Sequence, residues 1–272
     1  MGKFKDLLSH VHLYGPSLCV EFCKLTRAIA EWKERDLMRK ILTLLFAAAL
    51  SAGLAGQASA DLVTVDFETP GGFTTSIAEA TDGFTDYFTT SDGSNIAGVY
   101  NTPQGNSFFA AQDTDADEIG ASPASLFIND IVITDFTDLN VQLLVAEDDD
   151  GTNQDWDASD AFEIFASIDG APSTLVFSIR NDGSTFNAEP LVDTDLDGIG
   201  DGTAITDTFA DFTASIAGTG DELDLEFRFS LDSGDEDLAI DNIRINGTAV
   251  PEPSSIALLG LVGLVGFVRR RK

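Results

Sequence analysis

The segment Glu222-Leu-Asp-Leu-Glu-Phe-Arg-Phe-Ser-Leu231 alternates polar and apolar side chains without interruption. Because successive side chains of a β-strand point to opposite faces, its apolar members would all lie on one face. Those members are Leu223, Leu225, Phe227, Phe229 and Leu231. The interleaved Asp224, Glu226 and Arg228 would then face water. This period of two predicts a half-buried strand that packs against a hydrophobic core.

The same alternation recurs between residues 61 and 246, where no stretch shows a convincing helical period. The further predicted strands are Val63–Phe67, Ser107–Ala111, Leu126–Ile128 with Ile131–Ile133, Leu139–Val145, Phe162–Ile168, Leu175–Ile179 and Leu238–Ile245. Asp-Gly pairs, which favour tight turns, stand at 82–83, 92–93, 150–151, 169–170 and 182–183. Many short strands with such turns predict an all-β fold. We expect an antiparallel β-sandwich of jelly-roll type, formed by one domain over residues 61–246.

The segment before this domain has the three regions of a secretory signal peptide. Arg39 and Lys40 supply the positive start, residues 41–50 are apolar, and Ala58 and Ala60 are the small residues of a cleavage site. We predict a signal peptide over residues 38–60, cut by signal peptidase after Ala60. The alternative is a buried core helix. Residues 1–37 precede the signal, so they are either a consequence of a start codon assigned too early or a cytoplasmic extension.

The segment after the domain also has three parts. Residues 247–255 form a linker that contains Pro251, Glu252 and Pro253, residues 256–268 carry no charge, and residues 269–272 are all basic. As a helix, the uncharged part would span roughly 20 Å, which is short of the roughly 30 Å hydrocarbon core. Because a bilayer can thin around a short helix, residues 256–268 still predict a transmembrane helix. Its basic end is expected to stay in the cytoplasm. The domain would then lie on the outer side of the membrane.

This order of motif, apolar helix and basic end resembles the PEP-CTERM sorting signal of Gram-negative bacteria. The resemblance implies recognition by an exosortase and cleavage near Pro251, Glu252 and Pro253. It also implies an exported protein of the kind often associated with exopolysaccharide, found at the cell surface or outside the cell after transient anchoring. The alternative is an ordinary single-pass anchor.

Residues 61–250 combine a strong negative charge with a restricted chemistry. They contain 40 of the 46 acidic residues, and their only basic residues are Arg180, Arg228 and Arg244. Binding of nucleic acid is excluded, because it needs a basic surface. Every Cys and His lies upstream of the signal, at Cys19, Cys23, His10 and His12. Disulfides, catalysis by a Ser-His or Cys-His pair, and metal sites with His or Cys ligands are therefore excluded from the domain.

The segment Asp193-Thr-Asp-Leu-Asp-Gly-Ile-Gly-Asp201 predicts a Ca²⁺ site. Carboxylates at alternate positions converge when a loop wraps a cation, and Gly198 permits the sharp turn. The predicted ligands are Asp193, Asp195, Asp197, the carbonyl of Ile199, and Asp201. The pattern is similar to thrombospondin type 3 calcium repeats and to the first part of an EF-hand loop, although Ala204 replaces the bidentate Glu. The alternative is a solvated acidic loop.

Two weaker candidates accompany this loop. Asp113 and Asp115 follow a predicted strand and could form a second metal site with Asp241. Asp241 shares its strand parity with Ile243 and Ile245, so it is expected to point inward. Trp156, the only Trp of residues 61–250, stands among carboxylates and could stack on a sugar ring. The alternative is that Trp156 covers the edge of the sandwich.

The closing stretch Asp237–Ile245 resembles the last strand of jelly-roll modules of the MAM and carbohydrate-binding type.

Three functions remain open. The first is a calcium-stabilised structural or adhesive protein of the exopolysaccharide or biofilm matrix. The second is a carbohydrate-binding module that contacts exopolysaccharide through Trp156, Tyr87 and Tyr100. The third is a glycoside hydrolase with two carboxylates, which is the least favoured because no acidic pair has a distinctive pattern. We therefore predict a protein that is not an enzyme.

Overall fold

The computed structural model describes residues 59–148, 156–184 and 188–250, together with Lys40. Residues 57–253 form one compact unit. The extension 1–37, most of the predicted signal peptide, the Pro-Glu-Pro motif at 251–253, the apolar helix 256–268 and the basic end 269–272 lie outside the described residues. Within the described part, no helix has the length and apolar character needed to cross a membrane.

The described residues form thirteen β-strands. Their bounds are β1 Ser59–Val65, β2 Thr74–Thr75, β3 Ala80–Thr81, β4 Tyr87–Ser91, β5 Phe108–Gln112, β6 Ala124–Val132, β7 Phe136–Ala146, β8 Ala161–Ile168, β9 Thr174–Arg180, β10 Leu191–Val192, β11 Ala210–Ile216, β12 Glu222–Ser230 and β13 Asp237–Ala249. β1 begins at Ser59, so the predicted cleavage residue Ala60 lies in a strand and pairs with Gly247.

The strands form two antiparallel sheets. One has seven strands in the order β11-β7-β13-β5-β4-β3, with β1 also paired to β13, and the other has six in the order β10-β9-β8-β12-β6-β2. From β5 to β8 each strand enters the opposite sheet, and the chain crosses again at β11, β12 and β13. Side chains from both sheets belong to one hydrophobic cluster. The predicted all-β antiparallel sandwich of jelly-roll type is thereby confirmed.

β12 lies near the centre of the six-stranded sheet, between β8 and β6. Its apolar side chains are at most 1% exposed, while its charged side chains are partly exposed, as the alternation predicts. The ring of Phe229 contacts three other rings, with centroids 5.7 Å from Phe88, 6.0 Å from Phe109 and 5.0 Å from Phe162. Phe88 and Phe109 belong to the opposite sheet, so Phe229 joins the two layers.

The alternation of inward and outward side chains changes phase within β13. The φ angle of Asn242 is 44°, and the register shifts between Asp241 and Arg244. Such a β-bulge moves the following side chains to the other face. Ile240 and Ile243 therefore both point into the core. Asp241 precedes the bulge, so it points away from the core, and its expected inward direction is wrong.

A second apolar cluster covers the outer face of the seven-stranded sheet. Its members are Tyr87, Ile96, Tyr100, Phe108, Ala110, Ala146, Phe209 and Ala239. Ile96 and Tyr100 come from the connection between β4 and β5, which folds back over the sheet. Asp241 lies on this outer face and is fully buried. Burial of this acid depends on the covering connection and not on the sandwich core.

Two strands of more than two residues were not predicted. β4 is buried on both faces, because the covering connection shields its outer side, so it shows no alternation. β11 is an edge strand next to β7, and most of its residues are exposed. In β4 the two faces have similar surroundings, so the sequence lacks the period of two. β11 does alternate, since Phe212, Ala214 and Ile216 face the core, so the sequence contained a signal for this strand.

Replacing Phe229 with Ala tests the central place of β12. We expect a loss of about 3–5 kcal/mol in the free energy of unfolding, because a large aromatic side chain is removed from a filled core. Val132→Ala in β6 is the control, since Val132 is 68% exposed and should change stability by less than about 0.5 kcal/mol. Urea denaturation of both variants measures the difference. Equal losses would show that the core does not centre on β12.

Candidate functional site

The acidic loop 193–201 is held firmly against the edge of the six-stranded sheet. It follows β10, the short edge strand that pairs with β9. The N–H of Asp193 donates to the carbonyl of Ser178 at 2.9 Å, and the N–H of Gly200 donates to the carbonyl of Asn181 at 2.7 Å. A side chain at position 200 would overlap the carbonyl oxygen of Arg180, so glycine permits this close approach. Both ends of the loop are therefore anchored.

The loop brings three of its four predicted carboxylates together. One oxygen each of Asp193, Asp195 and Asp197 lies within 4.8 Å of the other two. Asp193 is 2% exposed and accepts the N–H groups of Asp197 at 3.2 Å and Gly198 at 2.9 Å. The φ angle of Gly198 is 94°, as the predicted sharp turn requires. The trio has the spacing of ligands around one hard cation.

The other two predicted ligands are placed differently. Oδ1 of Asp201 accepts the N–H of Thr194 at 2.9 Å and its hydroxyl at 2.7 Å. These hydrogen bonds lower the pKa of Asp201. Asp201 therefore stabilises the closed loop and is outside the trio. The side chain of Ile199 is 47% exposed, and its N–H donates to Asp197 at 3.0 Å.

The predicted second site of Asp113, Asp115 and Asp241 is not assembled. Gln112 pairs with Asp237, and Asp241 lies further along β13 in the direction away from Asp113. At about 3.3 Å per residue, this separates the two acids by roughly 16 Å. Burial, contact with Asp115 and the charge of Asp86 raise the pKa of Asp113 to about 6.

Asp241 has partners of its own on the outer face. Its carboxylate accepts the N–H groups of Gln104 at 2.7 Å and Asn242 at 2.6 Å. Burial raises its pKa to about 6, and the charges of Glu68 and Asp66 add to the shift. These partners satisfy a buried carboxylate through the backbone, so Asp241 stabilises the covering connection.

Trp156 is fully buried, so the predicted sugar contact is corrected. Its ring belongs to the core cluster, and its Nε1 donates to the carbonyl of Asp237 at 3.4 Å. It also pairs with Ala188 in an isolated bridge. A ring without exposed surface presents no face on which a sugar could stack. The expected contacts Tyr87 and Tyr100 are also buried, so they are corrected in the same way. The position of Trp156 matches the alternative expectation, that this side chain covers the edge of the sandwich.

Sequence reasoning missed a buried acidic pair beside Trp156. The carboxyl groups of Asp160 and Glu236 are in contact, and both residues are buried at 1% and 3% exposure. Burial raises the pKa of both, and their mutual contact raises that of Glu236 further. Asp157 and Asp232 lie close by. Acidic runs occur at both places in the sequence, but only the pairing of β8 with β12 brings them together.

The acidic pair does not match a glycosidase. Catalytic carboxyl groups of such enzymes stand about 5–9.5 Å apart on either side of the sugar. Asp160 and Glu236 instead touch each other and are closed off from solvent. No substrate could be placed between them, so this pair gives no support to a hydrolase.

The outer face of the six-stranded sheet carries an aromatic and polar row. Phe127 of β6 and Phe165 of β8 both pair with Glu226 of β12, so the three side chains lie side by side. Both rings are partly exposed. The guanidinium of Arg228 lies 4.1 Å from the centroid of the Phe165 ring and 2.8 Å from Glu226. We call these four residues the outer-face row.

Three members of the outer-face row, Phe127, Phe165 and Glu226, line a shallow cleft of about 310 Å³. The cleft is also lined by Asn129, Ser167, Ser173 and Asp224. A larger cleft of about 500 Å³ is lined by residues of β8, β9 and β11 and of the turns beside them. Aliphatic side chains dominate its wall, among them Ile168, Val176 and Ile216. Of these two clefts, the smaller one combines aromatic rings with two carboxylates and an amide, a combination that suits polar ligands.

Residues 249–272 match the family model of the PEP-CTERM protein-sorting motif. The match covers the tail alone, and it confirms the resemblance found in the sequence. The protein is thus an exported protein that is sorted to the surface, and the motif implies processing by an exosortase. No curated protein matches the chain significantly.

Several solved structures resemble the sandwich. The CBM22-1 xylan-binding domain from Paenibacillus barcinonensis Xyn10C is 13% identical, with a TM-score of 0.37 over 72% of this chain and 99% of that one. The K3 cleaved adhesin domain of Lys-gingipain from Porphyromonas gingivalis is 15% identical, with a TM-score of 0.38 over 68% and 98%. A Stig cyclase from Fischerella sp. TAU is 16% identical, with a TM-score of 0.42 over 71% and 99%. At these identities and TM-scores no ligand or activity is transferred to this chain.

Proposed function

We propose that this protein is a calcium-stabilised surface β-sandwich with a structural and adhesive role in the exopolysaccharide or biofilm matrix. The observation that carries the proposal is the sorting motif, which directly follows the sandwich in the sequence. The N–H of Val250 donates to the carbonyl of Asp135 at 2.7 Å, so the folded unit extends to the residue before Pro251. An exported sandwich released at this point would enter the matrix as a folded domain.

The calcium part of the proposal rests on charge and on the loop geometry. Forty acidic residues against three arginines make residues 61–250 strongly self-repelling. All three arginines already form ion pairs: Arg180 with Glu163, Arg228 with Glu226, and Arg244 with Asp211. The trio Asp193, Asp195 and Asp197 supplies only hard oxygen ligands, which suit Ca²⁺. Calcium, which extracellular fluids usually contain, would offset part of this charge.

Calcium should stabilise the compact unit 57–253 against unfolding. With a dissociation constant on the order of 10⁻⁴ to 10⁻³ M, about 10 mM calcium adds about 1.4–2.7 kcal/mol. Asp195→Asn with Asp197→Asn should remove most of that gain, because two of the three ligands lose their charge. Thermal unfolding with calcium and with EDTA measures the effect.

The matched control for this pair is Asp117→Asn with Glu118→Gln, which removes two exposed negative charges elsewhere. It should keep the calcium effect. Equal melting temperatures of the unchanged protein in calcium and EDTA would contradict calcium stabilisation.

The outer-face row favours a second candidate function, that of a carbohydrate-binding module for exopolysaccharide. Sugars offer apolar C–H faces and many hydroxyl groups, so they bind where aromatic rings adjoin charged and amide groups. Phe127 and Phe165 supply the rings, and Glu226 and Arg228 supply a hydrogen-bond acceptor and donors beside them. This function is compatible with the adhesive role, since binding to the polysaccharide would hold the domain in the matrix.

Removing the two rings tests this candidate. Phe127→Ala with Phe165→Ala should weaken binding to the exopolysaccharide of the producing cells at least about tenfold, because ring contacts at a binding centre contribute over about 1 kcal/mol each. Affinity electrophoresis and a glycan array measure the change. The control is Val132→Ala, which removes exposed apolar surface from the same strand β6. Unchanged retention of the double variant would contradict a glycan contact at this face.

Processing of the exported protein can be measured directly. Mass spectrometry should find an N-terminus at Asp61, because signal peptidase cuts after small residues such as Ala60. It should also find loss of the residues after the Pro251–Pro253 motif. Deletion of an exosortase gene in the producing cell is the control, and it should leave the tail in place. A mature form that still contains Arg269 in unmodified cells would indicate a plain membrane anchor.

A further inference from the structure

Two connections of the six-stranded sheet meet at one edge. Ala161, the first residue of β8, pairs with Ser230, the last residue of β12. Because the strands are antiparallel, the residues before β8 and those after β12 emerge side by side. Four acidic residues of these two connections lie close together: Asp157, Asp160, Asp232 and Glu236. We call them the β8–β12 acidic cluster.

Three of the four carboxylates of the cluster have the spacing of ligands to one ion. One oxygen each of Asp157, Asp232 and Glu236 lies within 4.8 Å of the other two. Oxygens bind Ca²⁺ at about 2.3–2.6 Å, so two ligands on opposite sides of the ion are about 5 Å apart. Asp232 is exposed and Asp157 is partly exposed, whereas Glu236 is buried. An ion could therefore enter from solvent and reach the buried carboxylates.

The atom that points to a ligand is Oδ1 of Asp160. Asp160 is 1% exposed, and this oxygen has no hydrogen-bond partner within the part of the chain that the structure describes. Its other oxygen accepts the N–H of Asp157 at 2.5 Å. The carboxyl group is in contact with that of Glu236, so the open oxygen lies among acids. A buried polar atom without a partner is costly, and a cation would satisfy it.

No basic side chain of the domain neutralises the cluster. Residues 59–250 contain three basic residues, and each forms its ion pair with an acid outside the cluster. Glu236 accepts the N–H of Asp232 at 2.8 Å, which orients the carboxylate but leaves its charge. Four acids this close together therefore need either a proton or a cation to offset their repulsion.

We propose that Asp157, Asp160, Asp232 and Glu236 bind one Ca²⁺ ion, which links the connection before β8 to the connection after β12. The ligands are carboxylates only, which favours a hard cation over transition metals. Calcium suits the site better than magnesium, because Ca²⁺ tolerates irregular ligand sets from loops. This site is separate from the loop 193–201 and closes the sandwich edge beside Trp156.

The test uses the full chain in detergent, with Trp32 replaced by Phe so that Trp156 is the only Trp. Terbium replaces calcium as the probe, and its luminescence is excited through Trp156, which precedes Asp157 in the chain. The unchanged cluster should give a luminescence signal that calcium competes away. Asp160→Asn with Glu236→Gln should abolish this signal and reduce the number of bound Ca²⁺ ions, measured by equilibrium dialysis, by one.

Two further variants make the result specific. Asp130→Asn with Asp224→Asn removes two charges from another group of close acids and should leave the signal and the bound calcium unchanged. Asp195→Asn with Asp197→Asn affects the loop 193–201 and should also leave the terbium signal in place. Failure of calcium binding at that loop would therefore leave this proposal standing.

Folding of the double variant is checked by its melting temperature in EDTA. It should be no lower than that of the unchanged chain, because neutral amides of the same shape remove repulsion. If the double variant does not fold, Asp232→Asn decides, since Asp232 is exposed; its terbium affinity should fall about tenfold. The proposal would be overturned if either folded variant gave the same terbium signal and bound the same number of Ca²⁺ ions as the unchanged chain. Asp160 and Glu236 would then be a pair of acids that shares a proton.

Discussion

Repulsion between carboxylates is the constraint on which the arrangement of this sandwich depends. Forty acids and three arginines share residues 61–250, so ion pairs can neutralise few of the charges. Most acids are placed on turns and exposed strand faces, where water screens them. Several aspartates also accept the N–H of the residue two positions later, which fixes their turns: Asp66, Asp82, Asp92, Asp157, Asp182 and Asp197. Negative charge is thus used to shape the loops.

The acids that cannot reach solvent show where the constraint is strongest. Asp241 is satisfied by two backbone N–H groups, so its burial needs no ion. Asp193 has a similar pair of donors, but two further carboxylates adjoin it. Asp160 keeps one oxygen without a partner among the described residues, beside another buried acid. From Asp241 to Asp193 to Asp160, backbone N–H groups satisfy less of the buried negative charge. Binding of a cation therefore becomes more favourable in the same order.

Export gives this series a physical setting. The PEP-CTERM motif indicates that the protein is exported and sorted to the surface. Extracellular fluids usually contain calcium, and in the proposed role the domain would also meet polysaccharide there. A domain that gains stability from calcium would be loosest before export and firmest in the matrix. The outer-face row lies on the six-stranded sheet, away from the covering connection of the other sheet, and so remains accessible to a polymer.

The sequence by itself determined the class of fold, the sorting tail and the chemistry that the domain lacks. Strict alternation, as in Leu223 to Leu231, predicted the half-buried strands, because one face meets the core and the other meets water. The sequence also predicted the hairpin turn at Asp169-Gly170, and these two residues have positive φ angles of 53° and 69°. The spacing of Asp193, Asp195 and Asp197 predicted a trio that the structure brings together. These are local properties, so residues near in sequence carry them.

Only the tertiary structure decided which acids meet and which rings are exposed. The bulge at Asn242 turned Asp241 to the outer face, and no local pattern shows where a strand gains a residue. Trp156 was buried by packing against the core, although its neighbours in sequence are acidic. Asp160 and Glu236 are far apart in the chain, and the pairing of Ala161 with Ser230 brings their connections together. Contacts of this kind depend on strand register, which is set by the whole sandwich and by no single segment.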